Sequence, residues 1–203
     1  MMPPGHIAAT WGVATLFQQN DPRPQQLDYR LLALSALAAD LIDKPLALFV
    51  FNEAHTSQLI AHSLIPNLIL LTITLVMWPK ALPYVLAFAG HLLADTMWHH
   101  TESFWWPMFG WTTFWEYKFM NTPEAMLSVY LAILRYPQVW VIEILAVFFL
   151  IWFGYRYKLY RRSGLKRLIL TGQIGLFQSR TLSKDGDEPA RHAPIVKHKP
   201  VKS

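Results

Sequence analysis

The stretch Gly90–Trp111, GHLLADTMWHHTESFWWPMFGW, decides how the chain is read. It closes a long apolar segment, Ala81 to Trp98, and carries His91, Asp95, His99 and His100 where that segment gives way to tryptophans. A helix turns by about 100° per residue, so His91 and Asp95 lie roughly 40° apart on one face. His99 falls at the edge of that arc and His100 swings to the back. Ionisable residues inside an apolar helix are costly, so the pair marks a functional site unless neighbouring helices merely satisfy it. What the other helices deliver to the same depth decides between the two.

Composition sets the environment. The 203 residues, enough for one domain and a tail, are 53% hydrophobic, with mean hydropathy +0.23. The apolar residues come in long blocks, the pattern of a multi-spanning membrane protein rather than a soluble core. No cysteine is present, so disulfides and thiolate metal sites are excluded and a metal would need imidazole and carboxylate ligands. The net charge is +5. Its basic residues crowd between Arg156 and Arg167 and in the tail, which fits positive-inside topology better than a nucleic-acid partner. The first apolar run has no basic region before it, so a cleaved signal peptide is not expected.

Along the chain, Ile7 to Phe17 is a short apolar stretch preceded by Pro3-Pro4-Gly5-His6, and a polar loop follows at Gln18 to Tyr29. Leu31 to Phe51 is the second apolar block, expected to end or break near Lys44 because Pro45 disfavours helix in the residue before it. Ser57 to Trp78 is a strong span carrying His62 near its start, with Pro66 expected to kink it. Ala81 to Trp98 is the fourth. The region from His99 to Pro137, with Trp105, Trp106, Trp111 and Trp115, reads as an interfacial aromatic segment. Glu124 to Arg135 reads as interfacial or re-entrant. Val139 to Phe153 is the last span, with Glu143 near its outer end. Residues 163–178 form a candidate membrane-surface segment, and 179–203 a polar, basic tail expected to be disordered.

Four consecutive helices that alternate in direction bring their polar residues to one side. His6 starts the first, Asp40 and Asp43 come late in the second, His62 is early in the third, and His91 and Asp95 are late in the fourth. Three histidines with two or three carboxylates and no thiol suit zinc, manganese or iron. A proton or ion relay in a transporter would use similar residues. Lys and Arg are concentrated at the opposite side, so the cluster is expected to face outward, with the carboxyl terminus cytoplasmic.

At these residues the sequence resembles the bacterial membrane-bound metal-dependent hydrolase family, itself distantly similar to zinc-dependent phospholipase C. Gly5-His6 resembles its amino-terminal histidine, Asp40-x-x-Asp43 its aspartate motif and Ala61-His62-Ser63-Leu64 its T-H-S-L. Gly90-His91-Leu92-Leu93-Ala94-Asp95 followed by Trp106-Pro107-Met108-Phe109 resembles its G-H-L-L-x-D and W-P-x-F. The likeness covers roughly residues 5 to 111. Two departures stand out: His55-Thr56-Ser57-Gln58 replaces a histidine-arginine-glycine before T-H-S, and Lys44-Pro45 follows the aspartate motif where histidine is frequent.

The chain is therefore expected to be all-α, an integral inner-membrane helical bundle of about five transmembrane helices with a Trp-rich interfacial segment. Residues 1–162 would form the transmembrane domain. His6, Asp43, His62, His91, Asp95 and His99 are the candidate ligands of a divalent metal, zinc above manganese or iron. Asp40 and Asp95 are the candidate catalytic carboxylates, with Asp40 also suited to orienting an imidazole. The expected partners are the lipid bilayer and a membrane-associated small-molecule or lipid substrate carrying a phosphoester or ester. A non-enzymatic transporter or structural partner built on the same cluster is the alternative.

Overall fold

A computed structural model describes residues 1–20, 26–51, 56–111 and 123–175, and over these residues the protein is helical, with no strand. The first helix, α1 (Pro3–Asn20), begins with prolines at positions whose N–H groups would have no helical partner anyway. Its start is capped from elsewhere in the chain. Glu143 accepts from Met2 N at 2.7 Å and from Gly5 N at 3.1 Å. A Cβ on Gly5 would lie 2.9 Å from Glu143 Oε1. Gly5→Ala is therefore expected to displace this cap and cost about 1–3 kcal/mol, the usual range for overpacking, read as a lower melting temperature in detergent.

The second helix, α2 (Tyr29–Phe49), is started by Asp28, which accepts from Arg30 N at 2.9 Å and Leu31 N at 3.3 Å. The Arg30 guanidinium, 2.6 Å away, holds the Asp28 carboxyl below the usual carboxylate range. Contrary to expectation, α2 does not break near Lys44 but continues through Pro45 to Phe49. Asp40 and Lys44 pair at 2.6 Å one turn apart on the helix surface, and Ala47 is fully buried beyond them. These contacts offset the one N–H that Pro45 removes.

A 3₁₀ turn, Ile60–His62, precedes α3 (Leu64–Met77). Pro66 lies in the first turn of α3 rather than inside a longer span, so it removes no helical bond and has no cause to kink the helix. A 3₁₀ turn at Pro79–Ala81 leads into α4 (Leu82–Ala94). This helix is shorter than the apolar run that contains it, because Thr96 adopts a left-handed conformation (φ 51°) and the chain re-forms as a 3₁₀ turn at Met97–His99. Short α5 (Thr101–Phe104), α6 (Pro123–Ile133), α7 (Pro137–Arg156) and α8 (Arg162–Thr171) complete the described elements.

The bundle is built around α2, which packs against α1 and α4; α1 also packs against α7, and α3 against α4. The buried side chains on α2 beside the two aspartates are small: Ala36, Ala39 and Ala47. Small residues at a contact let helix backbones approach closely. At the end where α2 starts, Tyr29, Leu32, Phe153, Tyr157 and Ile174 form the main apolar cluster. The Tyr29 hydroxyl donates to Gln18 Oε1 at 2.7 Å and lies 3.0 Å from Thr15 Oγ1.

Among the described residues, α7 is the one helix long and apolar enough by itself to cross a membrane, and α3 is apolar but shorter. The others fall short for visible reasons: α1 ends in Gln18-Gln19-Asn20, α2 carries Asp40, Asp43 and Lys44, and α4 has 13 residues. The outward surface is nevertheless strongly apolar, with Leu34, Leu41, Ile69, Val76, Leu86, Leu145 and Ile151 all exposed. Continuous apolar exposure of this kind is rare on soluble monomers. His55, Trp115 and the tail 179–203 lie outside the described residues.

Candidate metal centre

The far end of the bundle from Tyr29 gathers the ionisable residues that the sequence pattern singles out. His91 occupies the last turn of α4 and is buried, and its Nδ1 lies 2.7 Å from the carbonyl oxygen of Ala36 on α2. A carbonyl can only accept, so Nδ1 carries the proton and Nε2 of the neutral ring is left with a lone pair.

His62 is held in the same manner by a carboxylate. Its Nδ1 lies 2.7 Å from Asp43 Oδ2, and both side chains are fully buried. Asp43 also accepts from the backbone N–H groups of Leu59 (2.7 Å), Ala61 (3.0 Å) and His62 (3.1 Å). One carboxylate on α2 thereby shapes the whole turn that presents His62. Asp43, expected as a metal ligand, has its oxygens turned to these donors, which makes it an orienting group for the imidazole. Asp40, one turn earlier and expected as a catalytic carboxylate, is the aspartate of α2 that faces the free nitrogens of the histidines. Its Oδ1 lies 3.6 Å from His62 Nε2 and 3.9 Å from His91 Nε2.

Asp95 caps the end of α4 between two rings, with Oδ2 3.3 Å from His91 Nε2 and Oδ1 3.1 Å from His6 Nε2. The Met1 amino group also pairs with Asp95, and His6 Nε2 lies 3.2 Å from the Met1 carbonyl oxygen. His6 stacks on His91 with ring centroids 3.9 Å apart, and His62 meets His91 edge-on at 5.0 Å.

Donor atoms of His6, His91 and Asp95 all lie within 4.8 Å of one another, and so do those of Asp40, His62 and His91. His91 belongs to both groups. Among the described residues, His62 Nε2 and His91 Nε2 are two buried side-chain atoms with no hydrogen-bond partner; Asn67 Oδ1 is a third. Asp40 lies 3.6 Å and 3.9 Å from the two nitrogens, beyond hydrogen-bond distance, and Asp95 Oδ2, 3.3 Å from His91 Nε2, is in ion-pair reach without forming a hydrogen bond. Two buried imidazole nitrogens with fixed tautomers, directed at carboxylates and short of partners, fit a divalent cation of the zinc, manganese or iron type.

His99 is not brought in. It is exposed and packs against Trp98, because the left-handed turn at Thr96 ends α4 before His99 can follow the face of His91. His100 is exposed as well. Two supports escaped the sequence reading. Ser63 Oγ lies 2.7 Å from the Ser103 carbonyl oxygen and 2.9 Å from that of Leu59, and its one proton, shared between them, ties the His62 turn to the start of the tryptophan segment. Asn67 Nδ2 donates to the carbonyls of Ala61 and Ser63. Ser63 stands in the Ala61-His62-Ser63-Leu64 motif with no role marked for it there, and Asn67 carries no charge or periodicity to set it apart. Glu143 carries such a signal, as the one acidic residue in the last span, and the structure makes it the cap that positions His6.

An all-helical, apolar-surfaced bundle with a buried histidine–carboxylate cluster at one end defines a helical membrane protein. The chain belongs to the YdjM inner membrane protein family, whose description matches residues 1–163 and thus α1 through α7 with the whole cluster. The protein is accordingly a member of a bacterial inner-membrane family, in contact with the lipid bilayer. No curated protein and no solved structure matches the chain.

Proposed function

We propose that the protein is a multi-pass, metal-dependent hydrolase that cleaves a phosphoester or ester of a membrane-associated substrate. The observation that carries this reading is the pair of partnerless imidazole nitrogens, His62 Nε2 and His91 Nε2, directed at Asp40 and Asp95. In it, about five helices cross the bilayer, with α1 to α4 and α7 as the spans; the shorter ones are completed by their flanking turns and by local thinning of the bilayer. The cluster faces outward and the basic end faces the cytoplasm.

His6, His62, His91 and Asp95 hold the ion. When bound, a divalent cation supplies Lewis-acid polarisation of a phosphoryl or carbonyl oxygen and brings the pKa of water towards about 7. The chain's own residues do the rest. Asp43 fixes the His62 ring through Nδ1, and the Ala36 carbonyl fixes that of His91. Asp40 stands between both rings and Lys44, where it would serve as the general base that takes a proton from an attacking water. The Lys44 ammonium, 2.6 Å from Asp40, holds that carboxylate in place beside the two rings.

Asp40→Asn separates binding from catalysis. The metal-loaded variant in proteoliposomes is expected to retain its ion and lose turnover of a phosphoester or ester lipid by about 100-fold or more, the usual contribution of a general base. Wild-type protein that holds its metal and cleaves no phosphoester or ester would contradict the hydrolase reading. A proton relay through Asp40 and Lys44, paired at 2.6 Å, is the second reading, and proton-coupled uptake lost in the same variant would favour it.

A further inference from the structure

The end of the bundle away from the histidines carries a second, chemically distinct surface. After α7 ends at Arg156, a left-handed turn at Lys158 (φ 54°) redirects the chain into α8. Gly164 faces back against that turn: a Cβ there would lie 2.3 Å from the Lys158 carbonyl oxygen. The other end of α8 is fastened to the start of α2. Arg30 donates to the Ile169 carbonyl, and Tyr29 N donates to the Gly172 carbonyl at 2.7 Å. Beyond it, Ile174 enters the apolar cluster with Tyr29 and Phe153. Gly172 is left-handed (φ 70°), and a Cβ on it would collide with Asp28 at 1.9 Å. Both ends of α8 are thus pinned at the level where α7 finishes and α2 begins, so the helix lies across the end of the bundle.

The side of α8 turned away from the bundle is mixed in a particular way. Leu165, Ile169 and Leu170 are exposed at 47%, 57% and 63%, beside exposed Arg162 and Lys166. Arg156, Lys158, Arg161 and Arg167 complete a basic cluster, and the sequence has no acidic residue between Glu143 and Asp185. Exposed leucine and isoleucine interleaved with lysine and arginine, on a helix held at the end of a candidate span, match the requirements of a bilayer interface.

We propose that α8 is an interfacial helix that seats Leu165, Ile169 and Leu170 at the top of the acyl chains and binds the phosphates of anionic phospholipids through Arg161, Arg162 and Lys166. Charge complementarity selects this occupant: a second copy would bring the same positive surface, and an aqueous partner gives the three exposed apolar residues no favourable place. The surface is independent of the metal centre and of any hydrolase activity.

The chain contains no cysteine, so nitroxide labels can be placed singly at Leu165→Cys, Ile169→Cys and Ser163→Cys in the full-length protein. The protein is reconstituted in vesicles of phosphatidylglycerol and phosphatidylethanolamine, or of phosphatidylcholine alone. Electron paramagnetic resonance is expected to show labels 165 and 169 colliding more with oxygen than with a water-soluble nickel complex, and label 163 the reverse. Retention of phosphatidylglycerol over phosphatidylcholine by Arg161→Gln/Arg162→Gln/Lys166→Gln, read by native mass spectrometry, is expected to fall roughly fivefold per residue replaced. Lys166→Gln alone, at an exposed position, gives the same reading at one step if the triple variant misfolds. Labels 165 and 169 as open to nickel as label 163 would overturn the proposal. So would unchanged lipid selectivity in a folded charge variant, or spin coupling showing that a second copy covers the face.

Discussion

Alanine at His91 is expected to abolish stoichiometric metal binding, with a loss of affinity beyond the roughly 100-fold that removal of an outer orienting group can cost. The reason is geometric. His91 stacks on His6 at 3.9 Å, meets His62 edge-on at 5.0 Å, and lies 3.3 Å from Asp95 through Nε2, so it adjoins each of the other three residues proposed to hold the ion. Removing it takes away the donor at the centre of that set. It also leaves the buried Ala36 carbonyl without the Nδ1 proton, a penalty of about 1–3 kcal/mol. His91→Gln separates the two effects, because its amide can still donate to the Ala36 carbonyl while supplying no imidazole. A melting temperature close to wild type with metal content near zero is the expected outcome for glutamine. Normal metal content in both variants would show that the cluster is a packing device.

The second large effect is expected at Asp43, by a different route. Its carboxylate receives three backbone N–H groups and the His62 ring, all within 3.1 Å and fully buried. Asp43→Ala strands those donors, each at about 1–3 kcal/mol before relaxation, so a loss of several kcal/mol and local opening of the 59–62 turn are expected. Asp43→Asn keeps an acceptor for some of the donors but sets an amide group against the rest. It should retain much of the fold while metal affinity falls about 10–100-fold, as for other orienting partners. Thermal unfolding in detergent and metal titration check the two quantities separately. An alanine variant with wild-type stability would refute the role given to Asp43.

How much of this was legible in the sequence depends on which interaction places each residue. His91 and Asp95 pair from helical spacing alone, and helices alternating in direction bring His6, Asp40, Asp43 and His62 to the same end. The orienting role of Asp43 is not legible in the sequence, because Asp40 and Asp43 lie one turn apart on α2 and spacing alone does not separate them. Their roles are separated by three backbone donors from a turn 16 to 19 residues away. A single left-handed residue, Thr96, with no glycine to announce it, carries His99 away from the face of His91. Sequence alone gives Pro45 and Pro66 the weight that proline has in an average helix. Tertiary contacts override it at Pro45, and at Pro66 the position within the first turn removes it. Among the described residues α7 alone is long and apolar enough to cross a membrane, because polar residues and 3₁₀ turns interrupt the other apolar runs.

The most direct test of the central claim is the metal content of detergent-purified protein by inductively coupled plasma mass spectrometry. Wild type is measured beside His62→Ala, His91→Gln and the exposed control His99→Ala, after reconstitution with zinc, manganese or iron. Near-stoichiometric metal is expected in wild type and in His99→Ala, and its loss in the other two. A folded wild type that holds no metal under any of these conditions, or a His91→Gln variant that holds as much as wild type, would contradict the central claim.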